Sequence, residues 1–505
     1  MDHHLQPLRA AMIVLVMSAV AWPALFNGQP FYFSDTGAYV RGADAGIERA
    51  TGISSAWSRS SLRRPSASEG APSPGQGGPF HESLSSIEDR AVLSGRSVYY
   101  GALLYLGYVG GEFWLVVTIQ TLLLVLACLG TLRACQVPEW PYAGVVVALT
   151  SVTPAAFFVS FAMPDIFAAL AILACAVLIS IGRNLPWRDR IFWFLLLTFA
   201  LLTHSAFVLV VASMLLIATV VRFALRRDSE RVGPVLVMSA VAIALLGEVG
   251  FTTAVTRILG APPLRPPFLM ARTIEDGPGF NYLLETCPQS GFVVCRFKDR
   301  LPLAADEVLW SRDPKRGVFA VVDPDTRRLL SQEQVRFFMA VLRFDLLGQA
   351  RASIRNSFRQ ATLLGIPEFS YPEKRKREFE AKLPPQNAAR MRSTAAYQGQ
   401  MPIRTFSMLS YVLGIAGTIY LAYVSLSTQR NAAARRLASM GVAWLIVLGV
   451  TLNAIVAGSL STPHHRYQAR VIWLIPIIAL IVDFGRRQQW WRRRLERGHN
   501  LIRAS

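Results

Sequence analysis

Arg466 and Arg470 stand four residues apart in the polar run Ser461-Thr-Pro-His-His-Arg-Tyr-Gln-Ala-Arg470. At the start of a helix this spacing puts both guanidinium groups on one face. Planar, paired donors of this kind suit phosphate, and a helix N-terminus adds its own preference for anions. The plainer use is a general grip on lipid headgroups; the sharper one is a specific lipid-linked phosphate. His465 and Tyr467 flank Arg466 and count as accessory groups.

Two acids complete the chemistry. Asp35 lies in Phe31-Tyr-Phe-Ser-Asp-Thr-Gly-Ala-Tyr39, and Asp165 in Met163-Pro-Asp-Ile-Phe167. A carboxylate held at a membrane surface can take a proton from a hydroxyl or bind a cation. Each also has a plain structural use: Ser34 or Asp35 would cap a helix, and Asp165 would favour a helix dipole. Glu248, in the last turn of an apolar block, is a third acid, either functional or snorkelling to the surface. Arg96 opens the amphipathic stretch Gly95-Arg-Ser-Val-Tyr-Tyr100. His204 reads as a hydrogen-bonded group at a turn.

What must position these groups is a membrane bundle. Of the 505 residues 52% are hydrophobic and only 17% are charged, against about a quarter charged in soluble domains. The apolar residues come in blocks, and a span needs roughly 20 of them. Candidates are Ala10–Phe26, Phe113–Thr131, Tyr142–Phe161, Ile166–Ile181, Val232–Gly250, Phe406–Leu426, Leu437–Leu460 and Val471–Val482. Pro23 and Phe26 make a poor cleavage site, so the first block reads as a retained helix. Ile191–Val221 is too long for one crossing and has Arg clusters at both ends, so His204 and Ser205 divide it into two. The fold class expected is an all-α polytopic membrane protein of about ten spans.

Arg133, the linkers 183–190, 222–231 and 430–436, and the tail 486–497 then fall on the cytosolic side, with both chain ends. The net charge of +20 follows this topology and gives no reason to expect nucleic acid. The chain divides into an N-terminal membrane module (1–250, spans one to seven, with outer loop 27–112), an outer insertion (251–405), a C-terminal membrane module (406–485, the last three spans) and a basic tail (486–505). Phe31–Ile47 can form a surface helix, and Val98–Val109 an interfacial one. Ser54–Gly78, rich in Ser, Pro and Gly, cannot bury a core. The insertion is long enough for a small α+β domain. Within it Gly317–Leu330 reads as a hairpin turning at Asp323–Asp325, followed by a helix whose capping box begins at Ser331. Cys287 and Cys295 would pair in an oxidising compartment, while Cys128, Cys135 and Cys175 pack as small apolar residues.

This arrangement resembles the GT-C class of membrane glycosyltransferases, which use polyprenyl-phosphate-linked sugars and include protein O-mannosyltransferases and lipid A aminoarabinose transferases. The resemblance is carried by Asp35 after the first span, Gly95–Tyr100 leading to a Gln-containing span (Gln120), the pair Pro164–Asp165, the large second-half insertion, and Arg466-Tyr-x-x-Arg470. The single first-loop acid departs from the adjacent acidic pair of that class. The resemblance implies an inverting transfer on the periplasmic face of a bacterial inner membrane, to an envelope glycan, lipid or protein acceptor. Asp35 would serve as base, Asp165 would orient the acceptor or a divalent cation, and Arg466 and Arg470 would neutralise the departing phosphate. A divalent cation is the one cofactor this admits. Competing classes are an envelope polysaccharide polymerase or ligase, a lipid-linked solute transporter, and a structural protein that docks partners.

Overall fold

A computed structural model describes residues 14–53, 55–57, 92–225, 231–429 and 438–504. The linkers at 226–230 and 430–437 and nearly all of Ser54–Gly78 lie outside them. Seven helices are long and apolar enough to cross a membrane: Trp114–Ala134, Ile166–Asn184, Ser205–Ala224, Val232–Leu259, Ile403–Ser427, Ser439–Leu460 and His465–Trp490. The chain is a multi-pass, all-helical membrane protein among its described residues.

The other three expected spans are shorter or broken. Residues 14–27 are helical but bend at Ala21, before Pro23. The block Tyr142–Phe161 divides into Glu139–Ser151 and Pro154–Val159, because Pro154 has no N–H to continue the first helix. The long block does break at His204, whose extended backbone separates Trp187–Thr203 from Ser205–Ala224. His204 Nδ1 accepts the Ala206 N–H and so caps the second piece.

Ile166–Ile181 is apolar on every side, and a helix of that kind belongs in the interior. It is buried along almost its whole length, against the helices at 114–134, 187–203, 205–224, 232–259 and 438–460. The outer ring exposes large apolar side chains instead, such as Leu216, Val220, Leu246, Val412 and Ile419. Such bare surface suits acyl chains.

The insertion corrects two expectations. No strand occurs among the described residues, only isolated bridges at Phe31–Phe161 and Leu93–Leu264, so 251–405 is not α+β. In place of the expected hairpin, residues 317–323 form turns and irregular chain and the rest begins the helix Pro324–Phe344, with Pro324 in its first turn and Asp323 accepting the Thr326 N–H at 2.9 Å. Ser331 and Gln334 lie inside that helix and do not begin it. Residues 270–341 gather a small core of their own around Phe319, Phe337 and Val341, and Cys287 and Cys295 are joined there. Residues 364–401 join the bundle's core instead, through Ile366, Phe369, Tyr371 and Met391. Trp57, at the edge of the Ser-rich segment, is also buried, beside Tyr108 and Phe113.

Gly458 is where the helix Leu346–Ala361 meets the span Ser439–Leu460. A Cβ there would lie 2.7 Å from the Asn356 carbonyl oxygen and from Ser357 Cα. Gly458→Ala should therefore cost about 1–3 kcal/mol, as overpacking against backbone does. A thermal midpoint in detergent equal to that of the wild type would contradict this close approach.

Candidate active site at the insertion-bearing face

Asp35 and Asp165 occupy the same local position, the residue just before a helix, and neither side chain caps it. Both turn toward arginine. The loops that carry them are zipped together. Phe31 N–H donates to the Ser160 carbonyl and Ala162 N–H to the Phe31 carbonyl, each at 2.9 Å. The Thr36 hydroxyl donates to the Ala162 carbonyl at 3.1 Å. Beneath this seam, Gln120 is fully buried, donating to the Val159 and Phe161 carbonyls and accepting from the Tyr100 hydroxyl.

Asp165 is 1% exposed, and its Oδ1 accepts from Arg466 Nε at 2.8 Å and from Arg470 Nη1 at 3.3 Å. Both arginines rise from the helix His465–Ile472. Arg470 Nη2 also reaches Asn453 Oδ1 at 3.4 Å, while Asn453 Nδ2 donates to the Tyr467 carbonyl at 2.7 Å. Aromatic rings cover the guanidinium planes: Arg466 lies 4.4 Å from the Phe33 centroid, and Arg470 lies 5.0 Å from Phe207 and 5.1 Å from Tyr467. Rings in that place attract the cations and exclude water. Arg466 gives Asp165 only its Nε; neither terminal nitrogen has a hydrogen bond among the described residues.

Asp35 pairs with Arg96, whose guanidinium also lies 5.7 Å from the Trp310 ring of the insertion. Burial pushes the Asp35 carboxyl up, but Arg96 first, then Arg466 and Lys382, outweigh it and hold the group below its usual range. Arg466 thus joins the two acids, bonded to one and acting by charge on the other. A depressed carboxyl stabilises the fold above its unfolded value near 3.8, and that contribution is lost as pH falls through the folded value. Asp35→Asn should therefore lower the thermal midpoint at neutral pH, with the gap from wild type closing below pH 3.8. A gap independent of pH would contradict the pairing. The Tyr39 hydroxyl is pushed up, by burial and then by Asp35, and stays protonated.

Sequence reasoning missed Asn453 and also Glu368. The short turn Pro367–Phe369 sets Phe369 among Phe31, Phe158 and Phe161. There Glu368 Oε1 accepts the Arg466 backbone N–H at 3.2 Å. Burial raises the Glu368 carboxyl above its usual value against the pull of Arg466 and Arg375. Nearby, Ser34 donates to Glu378 at 2.9 Å, and Lys382 pairs with Glu378 at 2.6 Å. Tyr371 clamps Tyr32, its hydroxyl oxygen accepting the Tyr32 N–H at 2.9 Å. The insertion thus supplies one wall of the site.

The accessory residues divide. His465 Nδ1 accepts the Gly365 N–H at 3.0 Å and fixes the insertion loop, and Tyr467 supplies a ring to both arginines. Glu248 pairs with the exposed Arg265 at 3.2 Å and shares no hydrogen bond or ion pair with the cluster among the described residues. Metal binding fits poorly: Asp35 and Asp165 are both engaged by guanidinium groups, and no group of three or more His, Cys, Asp or Glu comes together among the described residues. Three acids, Asp35, Asp165 and Glu368, stand against Arg96, Arg466 and Arg470. Among the described residues, buried atoms without a protein partner include Asp165 Oδ2, Glu368 Oε2, Arg96 Nε and Arg470 Nε, as well as others elsewhere in the chain. None of the protein families, characterised proteins or solved structures compared with the chain matches it.

Proposed function

We propose that the chain is a membrane glycosyltransferase of the GT-C kind, moving a sugar from a polyprenyl-phosphate donor to an acceptor hydroxyl. The insertion-bearing side of the bundle is then the periplasmic face of a bacterial inner membrane. The observation that carries this reading is Arg466: buried among rings, fixed by Asp165 through one nitrogen, with both terminal nitrogens unengaged, and next to the ionised Asp35. Two largely buried guanidinium groups suit a phosphate, whose negative charge grows as it leaves.

In this mechanism the acceptor oxygen bonds to the anomeric carbon as the bond from that carbon to the phosphate oxygen breaks. Polyprenyl phosphate departs with the bonding pair, against Arg466 and Arg470. The acceptor proton goes to Asp35. A carboxylate made less basic by Arg96 accepts that proton late, once bond formation has acidified the hydroxyl. Asp165 acts as a positioning residue for the two arginines, a different role from the orienting of the acceptor or of a divalent cation that the resemblance implies.

The test is transfer from a labelled polyprenyl-phosphate sugar by the full chain in lipid vesicles. Arg466→Gln should lower kcat/KM by about 10²–10³, the usual effect of removing one transition-state donor. Arg466→Lys keeps the charge opposite Asp165 and should fold normally, yet fall short of wild-type transfer because it lacks paired donors. Wild-type rates from both variants would overturn the phosphate role.

A further inference from the structure

The helix Leu346–Ala361 (LLGQARASIRNSFRQA) presents two faces in different surroundings. Gln349, Ala352, Asn356 and Gln360 are buried. This side meets the outermost turns of the span Ser439–Leu460, with backbone against Gly458 and Ser357 Oγ 3.3 Å from Ser459 Oγ. The opposite face carries Leu347, Ile354 and Phe358, which are 79%, 58% and 73% exposed. Steps of seven and four residues keep these three in one stripe of a helix. Arg351, Arg355 and Arg359, all exposed, run along one flank of the stripe at intervals of four. The helix has no acidic residue, and none of the three arginines has an ion pair among the described residues.

Two features identify what covers this face. The first is continuity: Ile455, about one turn before Gly458 on the span itself, is 44% exposed, so exposed apolar surface occurs on the candidate span to which the helix is packed. The second is charge. Arginine stems can lie along acyl chains while their guanidinium groups reach outward, and headgroup phosphates offer oxygens in pairs that match the guanidinium fork. An apolar stripe edged with Arg on a helix at the end of a span has the composition of a helix lying in the bilayer boundary.

We propose that Leu346–Ala361 is an interfacial helix. Leu347, Ile354 and Phe358 enter the edge of the acyl region, and Arg351, Arg355 and Arg359 bind anionic phospholipid headgroups. This does not rest on the transfer reaction, since none of these residues belongs to the site. It gives the insertion a second anchor, placed directly on the span that supplies Asn453 to Arg470.

The test uses the full chain in nanodiscs of phosphatidylcholine and phosphatidylglycerol. Cys128, Cys135 and Cys175 are buried and Cys287 is joined to Cys295, so an introduced thiol is the accessible one. A nitroxide at Phe358→Cys should relax with oxygen and be shielded from a water-soluble nickel chelate. One at the exposed Lys374→Cys should show the reverse. Equal access of the nickel chelate to both would overturn the burial in lipid. The combined variant Arg351→Gln, Arg355→Gln, Arg359→Gln should reduce the phosphatidylglycerol enrichment around the protein to that of the bulk mixture. Undiminished enrichment, or retention of free polyprenyl phosphate without retention of phosphatidylglycerol, would overturn headgroup binding.

Discussion

Asp165→Asn should destabilise the chain by about 3–5 kcal/mol, the range for removing one partner from a buried ion pair. The carboxylate is 1% exposed and receives Arg466 and Arg470 on the same oxygen, and the two arginine side chains are themselves only 10% and 4% exposed. An amide in its place has the same shape but no charge, leaving two guanidinium groups desolvated and facing each other. Substituting all three residues with apolar ones of similar size removes the unpaired charges, so much of the lost stability should return. Transfer should not return, because nothing would then face the phosphate. Thermal midpoints and transfer rates of the single and triple variants separate these effects. A single variant as stable as wild type would mean that Asp165 is not the arginines' counter-ion. A triple variant that still transfers sugar would remove both arginines from the mechanism.

Asp35→Asn should lower transfer by about 10²–10⁴, the contribution of a positioned base, while leaving the protein folded in detergent. The Asp35 side chain is one-third exposed, so at neutral pH its loss costs far less stability than the loss of Asp165. Arg96 gains solvent where Arg466 and Arg470 could not. The contrast between the two acids is therefore a prediction in itself: one substitution mainly affects stability, the other mainly the rate. Full activity in Asp35→Asn would leave the proton without an acceptor, and Glu368 would be the next carboxyl to examine.

Much of this was legible in the sequence. Spans declare themselves by apolar length, and a His-Ser pair in the middle of a 31-residue block, with arginines at both ends, marks two helices. The convergence of Asp35, Asp165, Arg466 and Arg470 on one face could be read from topology, because each follows or precedes a span on the same side. Their pairing could not: whether an Asp at a helix start caps the helix or reaches an arginine 301 residues away depends on packing. Asn453, a lone amide inside an apolar span, was a readable signal of a buried polar contact. Glu368 gave none, since an acid in a polar loop looks solvated until its partner, 98 residues later, is known. The misread hairpin has a local cause. Val-Asp-Pro-Asp suits a turn, but Asp followed by Pro is also a capping residue and the first residue of a helix. The long amphipathic stretch behind it decides for the helix. Pro154 was equally visible, and it divides a block whose length alone suggested one continuous span.

The convergence of two acids and three arginines into a phosphate-binding site is tested most directly by equilibrium binding to the full chain in nanodiscs. The comparison is between polyprenyl phosphate and polyprenol, two lipids that differ only in the phosphate. The phosphate form should bind markedly tighter, and the preference should disappear in Arg466→Gln. Equal affinity for the two lipids in the wild-type protein would contradict the account, however well the remaining residues fit it.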